Sequence, residues 1–275
     1  MAIPKLYVVA TPIGNLQDMT LRALETLRAN DVFFAEDSRE LRKLMAAHGI
    51  SVQGKVIHSY AQHNMKEATA RALEYLRAGS HVCLVSDRGT PCISDPGAQL
   101  VGRAIEDGFS VIPVPGPSSL VAVLSVCGLE FTSFIFFGFF PHETKEREKI
   151  FKQINETNLP VVFFESPNRI RKTLQTLSAA FLQGQVFLAR EVTKMFESFQ
   201  RFALNALVLD EIKEKGEYVI VLDPGPQASQ SVGWEQALTL RLCSDKEWAK
   251  TISSCHDVSA KTVYDALQRA KAART

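Results

Sequence analysis

The sequence predicts an α/β protein of two domains followed by a helical tail. Three observations carry this. Short apolar runs alternate with amphipathic stretches from the N-terminus onward, the proline-rich segment Pro113 to Pro117 interrupts that alternation, and strand character is lost over residues 232–275. The implied domains are 1–115, 116–227 and 232–275, and 275 residues suffice for two separate cores. In the first domain Tyr7 to Ala10, Val32 to Ala35, Lys55 to His58, Val82 to Val85 and Ser110 to Val114 read as strands. Between them, Leu21, Leu24 and Leu27 share one helix face, and Ala68, Ala72, Leu73 and Leu76 form a second apolar stripe. This βαβ pattern predicts a parallel sheet covered on both faces. Past the hinge, Phe134 to Phe137, Pro160 to Glu165, Gln185 to Ala189, a hairpin partner at Phe199 to Ala203, and Glu217 to Leu222 predict a second α/β domain with more antiparallel character.

Pro224-Gly225-Pro226-Gln227 closes that domain, and a polar linker runs through Ser231. The tail reads as wholly helical. Ser244 with Glu247 three residues on is a capping box, and Val263, Leu267 and Ala270 form a stripe after Ser259. So short a segment buries little core alone, so it is expected to dock on the body or on a second subunit. Arg269, Lys271 and Arg274 leave contact with RNA open as well.

Hydrophobic residues at 46% and charged residues at 22% describe a globular chain. No apolar run approaches 18 residues and no signal-like leader opens the chain, so the expectation is a cytoplasmic protein with no membrane span. Cys83, Cys92, Cys127, Cys243 and Cys255 are odd in number and form no C-x-x-C pair, which speaks against a metal site or a disulfide framework. Cys83 and Cys127 lie in apolar runs and are expected to be buried. A net charge of +1 excludes a uniformly basic surface of the kind that binds nucleic acid indiscriminately. Local basic groups remain at Arg39, Arg42 and Lys43, at Lys145, Arg147 and Lys149, and at Arg169, Arg171 and Lys172. The middle group reads equally as a solvated helix face paired with Glu146 and Glu148.

Two Gly- and Pro-punctuated loops follow predicted strands: Thr11-Pro12-Ile13-Gly14-Asn15, and Ser86-Asp87-Arg88-Gly89-Thr90-Pro91-Cys92-Ile93-Ser94-Asp95-Pro96-Gly97. Both fall where open α/β sheets place ligands, at carboxyl ends of strands. Neither has the Walker spacing with its lysine, and no G-x-G-x-x-G opens a helix, which removes the usual nucleotide cradles.

Together with Glu36-Asp37-Ser38-Arg39, Pro113-Val114-Pro115-Gly116-Pro117-Ser118-Ser119, Phe163-Phe164-Glu165-Ser166-Pro167-Asn168-Arg169 and Ala189-Arg190-Glu191-Val192-Thr193-Lys194, these loops resemble the ribosomal RNA small subunit methyltransferase I family of the tetrapyrrole methylase superfamily. The resemblance spans about residues 3–223. It implies two α/β domains of tetrapyrrole methylase type with S-adenosylmethionine held in the cleft between them, and 2′-O-methylation of a decoding-region cytidine of 16S rRNA within the small ribosomal subunit. It also implies a homodimer. By motif position, Pro12, Gly14, Asp87, Gly89, Ile93, Asp95, Ser118, Ser119, Phe164, Glu191 and Thr193 would bind the cofactor. Two positions depart from the family pattern: Ser38 replaces a threonine and keeps its hydroxyl, whereas Arg88 replaces a small residue and either points outward or reaches RNA phosphate.

Methyl transfer to a ribose hydroxyl needs alignment and proton removal. Glu36, Arg39, Glu165, Arg190 and Lys194 are the candidate polar ring around the reacting ribose, with the base left open. Asp37 reads equally as a helix cap bonded to Arg39, and Lys194 as an ion-pair partner of Glu191 or Glu197. Phe139 and Phe140 offer either a stacking surface for a base or two core side chains. A methyltransferase of small tetrapyrroles and a non-enzymatic ribosome assembly factor are the alternatives.

Overall fold

The apolar runs and the turns between them assemble two compact units, residues 1–122 and 123–275. The computed structural model describes residues 3–225, 234–238 and 243–272. Pro226, Gln227, the linker through Ser231, and Arg274 lie outside the described residues.

The first unit runs β1 (Lys5–Val9), α1 (Leu21–Ala29), β2 (Val32–Ala35), α2 (Ser38–Ala47), β3 (Val56–Ser59), α3 (Met65–Arg77), β4 (Val82–Val85), α4 (Ala98–Glu106) and β5 (Ser110–Val114). All five strands are parallel, in the order β3-β2-β4-β1-β5. Alternation along β4 separates two cores. Val82 and Leu84 pack with Ala72, Leu76 and Leu100 of α3 and α4, while Cys83 and Val85 pack with Ala23, Leu27, Leu41 and Met45 of α1 and α2. The crossovers leaving β1 and β4 therefore run in opposite directions on opposite faces. That makes the adjacent carboxyl ends of β1 and β4 the topological switch point of the sheet.

Helix α1 differs from its expected stripe. The Thr20 hydroxyl caps it by accepting from the Ala23 amide at 3.2 Å, and the resulting phase turns Ala23 and Leu27 inward. Leu21, about 200° from Ala23 around the helix, is 79% exposed. The α3 stripe of Ala68, Ala72, Leu73 and Leu76 is buried as expected.

Helix α5 (Ser119–Val126) contains the division between the units. The second unit continues with β6 (Ile135–Phe139), α6 (Thr144–Thr157), β7 (Val161–Glu165), α7 (Ile170–Ala180), β8 (Gln185–Arg190), β9 (Ser198–Ala203) and β10 (Tyr218–Asp223). Its sheet has the order β6-β7-β10-β8-β9. Only β6 and β7 pair in parallel; β10 pairs antiparallel with β7 and β8, and β8 with β9. Phe151 and Ile154 of α6 and Ile170, Leu174 and Leu177 of α7 form one core with Phe163, Leu188 and Ile220.

The tail forms α8 (Trp234–Ala237), α9 (Asp245–Ser253) and α10 (Ala260–Ala272). It is not wholly helical, because residues 254–259 turn the chain between α9 and α10. Half of the capping box forms: the Glu247 amide donates to Ser244 Oγ at 3.4 Å, while the Glu247 carboxylate accepts from the Ser244 hydroxyl at 2.8 Å. Trp248, Ile252, Val263 and Leu267 pack against Ala179 of α7, and His256 Nε2 donates to the Ala179 carbonyl at 2.8 Å. The tail thus docks on the second unit. Among the described residues, no helix is long and apolar enough to cross a membrane, and no cluster of His, Cys, Asp and Glu could hold a metal.

Candidate functional site

In the first unit the loops after β1, β4 and β5 are joined at the switch point. The Thr11 amide donates to the Gly89 carbonyl at 2.9 Å, the Gly89 amide donates back at 3.1 Å, and Thr11 Oγ1 donates to the Ser86 carbonyl at 3.2 Å. Thr90 Oγ1 donates to the Pro117 carbonyl at 3.3 Å. Gly116 lies so close to β1 that an added Cβ would sit 3.0 Å from the Ala10 Cβ. Pro12, Gly14, Asp87, Gly89, Ile93, Asp95, Ser118 and Ser119 are therefore carried by loops at one end of one sheet. Ile93 and Gly14 are exposed, Ser118 and Ser119 half-buried, and Pro12 and Gly89 buried.

Four carboxylates gather beside these loops. The Asp37 amide donates to Asp87 Oδ1 at 2.8 Å, which ties the end of β2 to the end of β4. Burial raises the Glu36 carboxyl, and the charges of Asp87 and Asp37 raise it further against a hydrogen bond from the Asp87 backbone. Asp87 is raised by burial and by the charges of Asp37 and Glu40, with the Asp37 amide and the Arg88 charge opposing. Asp95 is pushed up to about 6 by burial, then by Glu36 and Asp87, with a hydrogen bond from Ser86 opposing. Asp37 alone is drawn down, to about 2, by side-chain and backbone hydrogen bonds from Arg39. It is the α2 cap, accepting from the Arg39 amide at 2.8 Å, and its Oδ2 lies 2.6 Å from Arg39 Nη2. Arg88 is exposed.

In the second unit, the expected polar residues are already partnered. Glu165 is buried: Oε1 accepts from the Ser166 amide at 2.7 Å, and Oε2 accepts from Thr173 Oγ1 at 2.5 Å and lies 3.4 Å from Arg169 Nη2. Arg190 donates from Nε to the Lys215 carbonyl at 2.6 Å and from Nη1 to the Phe196 carbonyl at 3.1 Å. Lys194 Nζ donates to Glu191 Oε1 at 2.8 Å and Glu217 Oε2 at 2.7 Å. Glu197, one of its two expected partners, instead accepts from the Thr193 amide at 2.6 Å. Burial works to raise the Glu191 carboxyl, but hydrogen bonds from Lys194 and the Glu217 amide, with the charges of Lys194 and Arg190, bring it below the usual range.

Five non-glycine residues among those described have positive φ, and four of them, Cys92, Ser94, Glu191 and Thr193, lie in these two motif segments. Such conformations cost about 1–3 kcal/mol each and persist where the surroundings fix them. Around Glu191 the fixing is visible: a Cβ on Gly216 would lie 2.4 Å from the Glu191 Cγ.

Phe164 is half-buried and meets Phe136 edge-on, with ring centroids 4.9 Å apart. Of the two aromatics offered for stacking, Phe140 is a core residue beside Phe163 and Phe151, so that expectation fails for it. In the third basic group Arg171 is an internal tether, donating from Nε to the Ile212 carbonyl at 3.0 Å. Ser86, Thr11 and Thr90 stand inside the quoted motifs without a role of their own, whereas Gly216 and Glu217 carry no local signal.

The family profile described as Tetrapyrrole (Corrin/Porphyrin) Methylases matches residues 5–208. A Neisseria meningitidis serogroup B protein named Ribosomal RNA small subunit methyltransferase I is 45% identical over 223 residues, covering 80% of this chain and 76% of the relative. The Bacillus subtilis protein of that name is 31% identical over 274 residues, covering 95% and 93%. The chain belongs to the ribosomal RNA small subunit methyltransferase I family. Among solved structures, a cobalt precorrin-4 methyltransferase superposes with a TM-score of 0.59 at 20% identity, covering 79% of this chain and 94% of that one. The methyltransferase CobJ gives 0.60 at 16%, covering 84% and 98%. These likenesses establish the tetrapyrrole methylase fold.

The methyl donor of the tetrapyrrole methylases is S-adenosylmethionine. The first unit's loops suit such a ligand. Desolvated carboxylates that repel one another gain from a bound cation, and the donor carries a sulfonium and an ammonium.

Proposed function

We propose that this chain transfers a methyl group from S-adenosylmethionine to the ribose 2′-oxygen of a cytidine in the decoding region of 16S rRNA, in the small ribosomal subunit. The observation that carries this reading is the degree of identity. The Neisseria and Bacillus relatives are 45% and 31% identical to this chain, while the precorrin enzyme is 20% identical. The likeness to the precorrin enzyme extends to the fold alone. A small tetrapyrrole is correspondingly the weaker choice of acceptor.

Bound S-adenosylmethionine supplies an electrophilic methyl on a sulfonium leaving group. Pro12, Gly14, Gly89, Ile93, Ser118 and Ser119 shape the loops that hold the donor, and Asp87 and Asp95 offset its positive charge. In the second unit Phe164, Glu191 and Thr193 belong to the same proposal as donor-side residues. Glu36 is assigned the proton of the ribose hydroxyl, because its burial makes that carboxylate more basic. Lys194 is engaged as a donor to two carboxylates and Glu165 is enclosed, so neither takes that role. Arg39, with 81% of its side chain exposed, is assigned to RNA phosphate. Arg190 and Glu165 position the segments that carry Lys194 and Arg169.

The protein is proposed to act in the cytoplasm as a homodimer, which the exposed Met195 and Phe196 support by offering an apolar tip to a second copy. Incubation with labelled donor and either small ribosomal subunits or precorrin-type acceptors tests the activity. Label confined to ribose of the subunit RNA is expected; label in the tetrapyrrole alone overturns the reading. Light scattering at micromolar concentration should report twice the monomer mass.

A further inference from the structure

We propose that Phe139 is a stacking platform for an unpaired nucleobase of the RNA substrate, an inference that rests on the RNA-methylating reading above. The sequence Ile135-Phe136-Phe137-Gly138-Phe139-Phe140 would, under strict alternation, send Phe139 to the same face as Ile135 and Phe137. Those two pack against the core of the second unit. The chain instead slips register between Phe136 and Phe139, with Gly138 at φ 72°. The slip exchanges the two phenylalanines. Phe140 enters the core, its amide donating to the Phe164 carbonyl at 3.0 Å, and Phe139 joins the face of Phe136 and Phe164 with 58% of its surface exposed.

The exposed ring is held. It meets Phe164 edge-on at 5.8 Å and 72°, so a base stacking on it orders little that is not already ordered. Cationic and polar groups stand at the same strand end. Arg169 Nη2 donates to the Phe140 carbonyl at 2.5 Å and Nη1 donates to His142 Nε2 at 2.7 Å, and His142 is exposed. A held, exposed aromatic face suits an unpaired base, and stacking tolerates any base.

The test uses Phe139→Ala, Phe139→Leu and Phe139→Trp in the full-length protein, with steady-state methylation of small ribosomal subunits and calorimetry of S-adenosylmethionine. The Ala and Leu variants should each raise KM for the subunit about tenfold or more, and Trp should stay within about twofold of wild type. Melting temperature and donor affinity should not fall in any of them. In Phe139→Trp, a short single-stranded oligonucleotide of the decoding-region sequence should quench the new indole fluorescence. A Leu variant as good as wild type would show that only apolar bulk matters, and an Ala variant with unchanged KM would show that the ring is idle; either overturns the platform. Should wild type itself fail to methylate subunits, the functional reading falls instead, and the quenching measurement still decides the stack.

Discussion

The two units treat charge in opposite ways. At the switch point of the first, Glu36, Asp87 and Asp95 are half-buried beside one another with raised carboxyls, and of the four acids there only Asp37 stands in an ion pair among the described residues. In the second, Glu191, Glu217 and Lys194 neutralise one another, Glu165 is satisfied by Ser166 and Thr173, and Arg190 is bonded to two carbonyls. The acids of the first unit crowd one another, whereas those of the second are paired with Lys194 or with hydroxyl and amide donors. On the proposed function, a cationic donor would offset the first group, and the second group holds its residues in place beforehand.

That contrast can be broken at several places. The largest effect is expected for Lys194→Ala, which should lower methylation by about a hundredfold or more, with a smaller loss of donor affinity because its partner Glu191 is proposed on the donor side. Removing the ammonium leaves Glu191 and Glu217 facing each other and dissolves the second unit's completed network. Single-turnover methylation with calorimetry checks it, and equal loss of donor affinity would erase the distinction between the units.

Next in size is Gly97→Ala in the first unit. Its φ of 142° and the 2.7 Å approach of an added Cβ to both Cys92 Sγ and Leu84 Cδ2 predict a loss of roughly 2 kcal/mol, read as a lower midpoint in urea. Smaller again, Asp87→Asn should weaken donor binding by roughly 1–3 kcal/mol, because the bond from the Asp37 amide loses its charged acceptor. RNA affinity should hardly move, and calorimetry against filter binding separates the two.

The smallest effect carries the sharpest sign. The folded-state pKa of Asp95 stands at about 6, above the ordinary 3.8. The folded protein therefore binds the extra proton, and the stability Asp95 contributes is present below about pH 4 and lost as pH rises through 6. Asp95→Asn should accordingly stabilise the apoprotein at pH 7 by roughly 1 kcal/mol, solvent screening having reduced the full linkage value. Donor binding has the opposite dependence. A cationic ligand prefers the ionised acid, so wild-type affinity should fall by up to about tenfold from pH 7 to pH 5, and the Asn variant should lose that dependence.

The sequence foretold what alternation and turn chemistry encode. Val32 to Ala35 and Val82 to Val85 are the strands it predicted, because four consecutive apolar residues in a doubly covered sheet leave little choice. Proline and glycine placed the loops after β1 and β4 at strand ends for the same reason. Three features escaped. Leu21 counts toward a stripe in one dimension, but the Thr20 cap sets the phase and exposes it. Gly138 exchanges Phe139 and Phe140 through one left-handed residue that no periodicity anticipates. Glu217 meets Lys194 only because β10 pairs with β8 in the register Tyr218 to Arg190, a long-range fact without a local trace.

Helix α7 is covered on two sides, by Leu174 and Leu177 toward the sheet and by Ala179 toward Trp248 and Ile252. The second cover is encoded last. Ribosomes elongate at roughly 5–20 residues per second, so the stretch from Ala180 to Ser253 takes about 4 to 15 s to make. During that interval the outer side of α7 faces the crowded cell bare, and the end of α9 must clear the exit tunnel before it is sheltered. Birth order along the chain thus leaves one side of α7 uncovered for several seconds in a protein that is itself proposed to act on ribosomes.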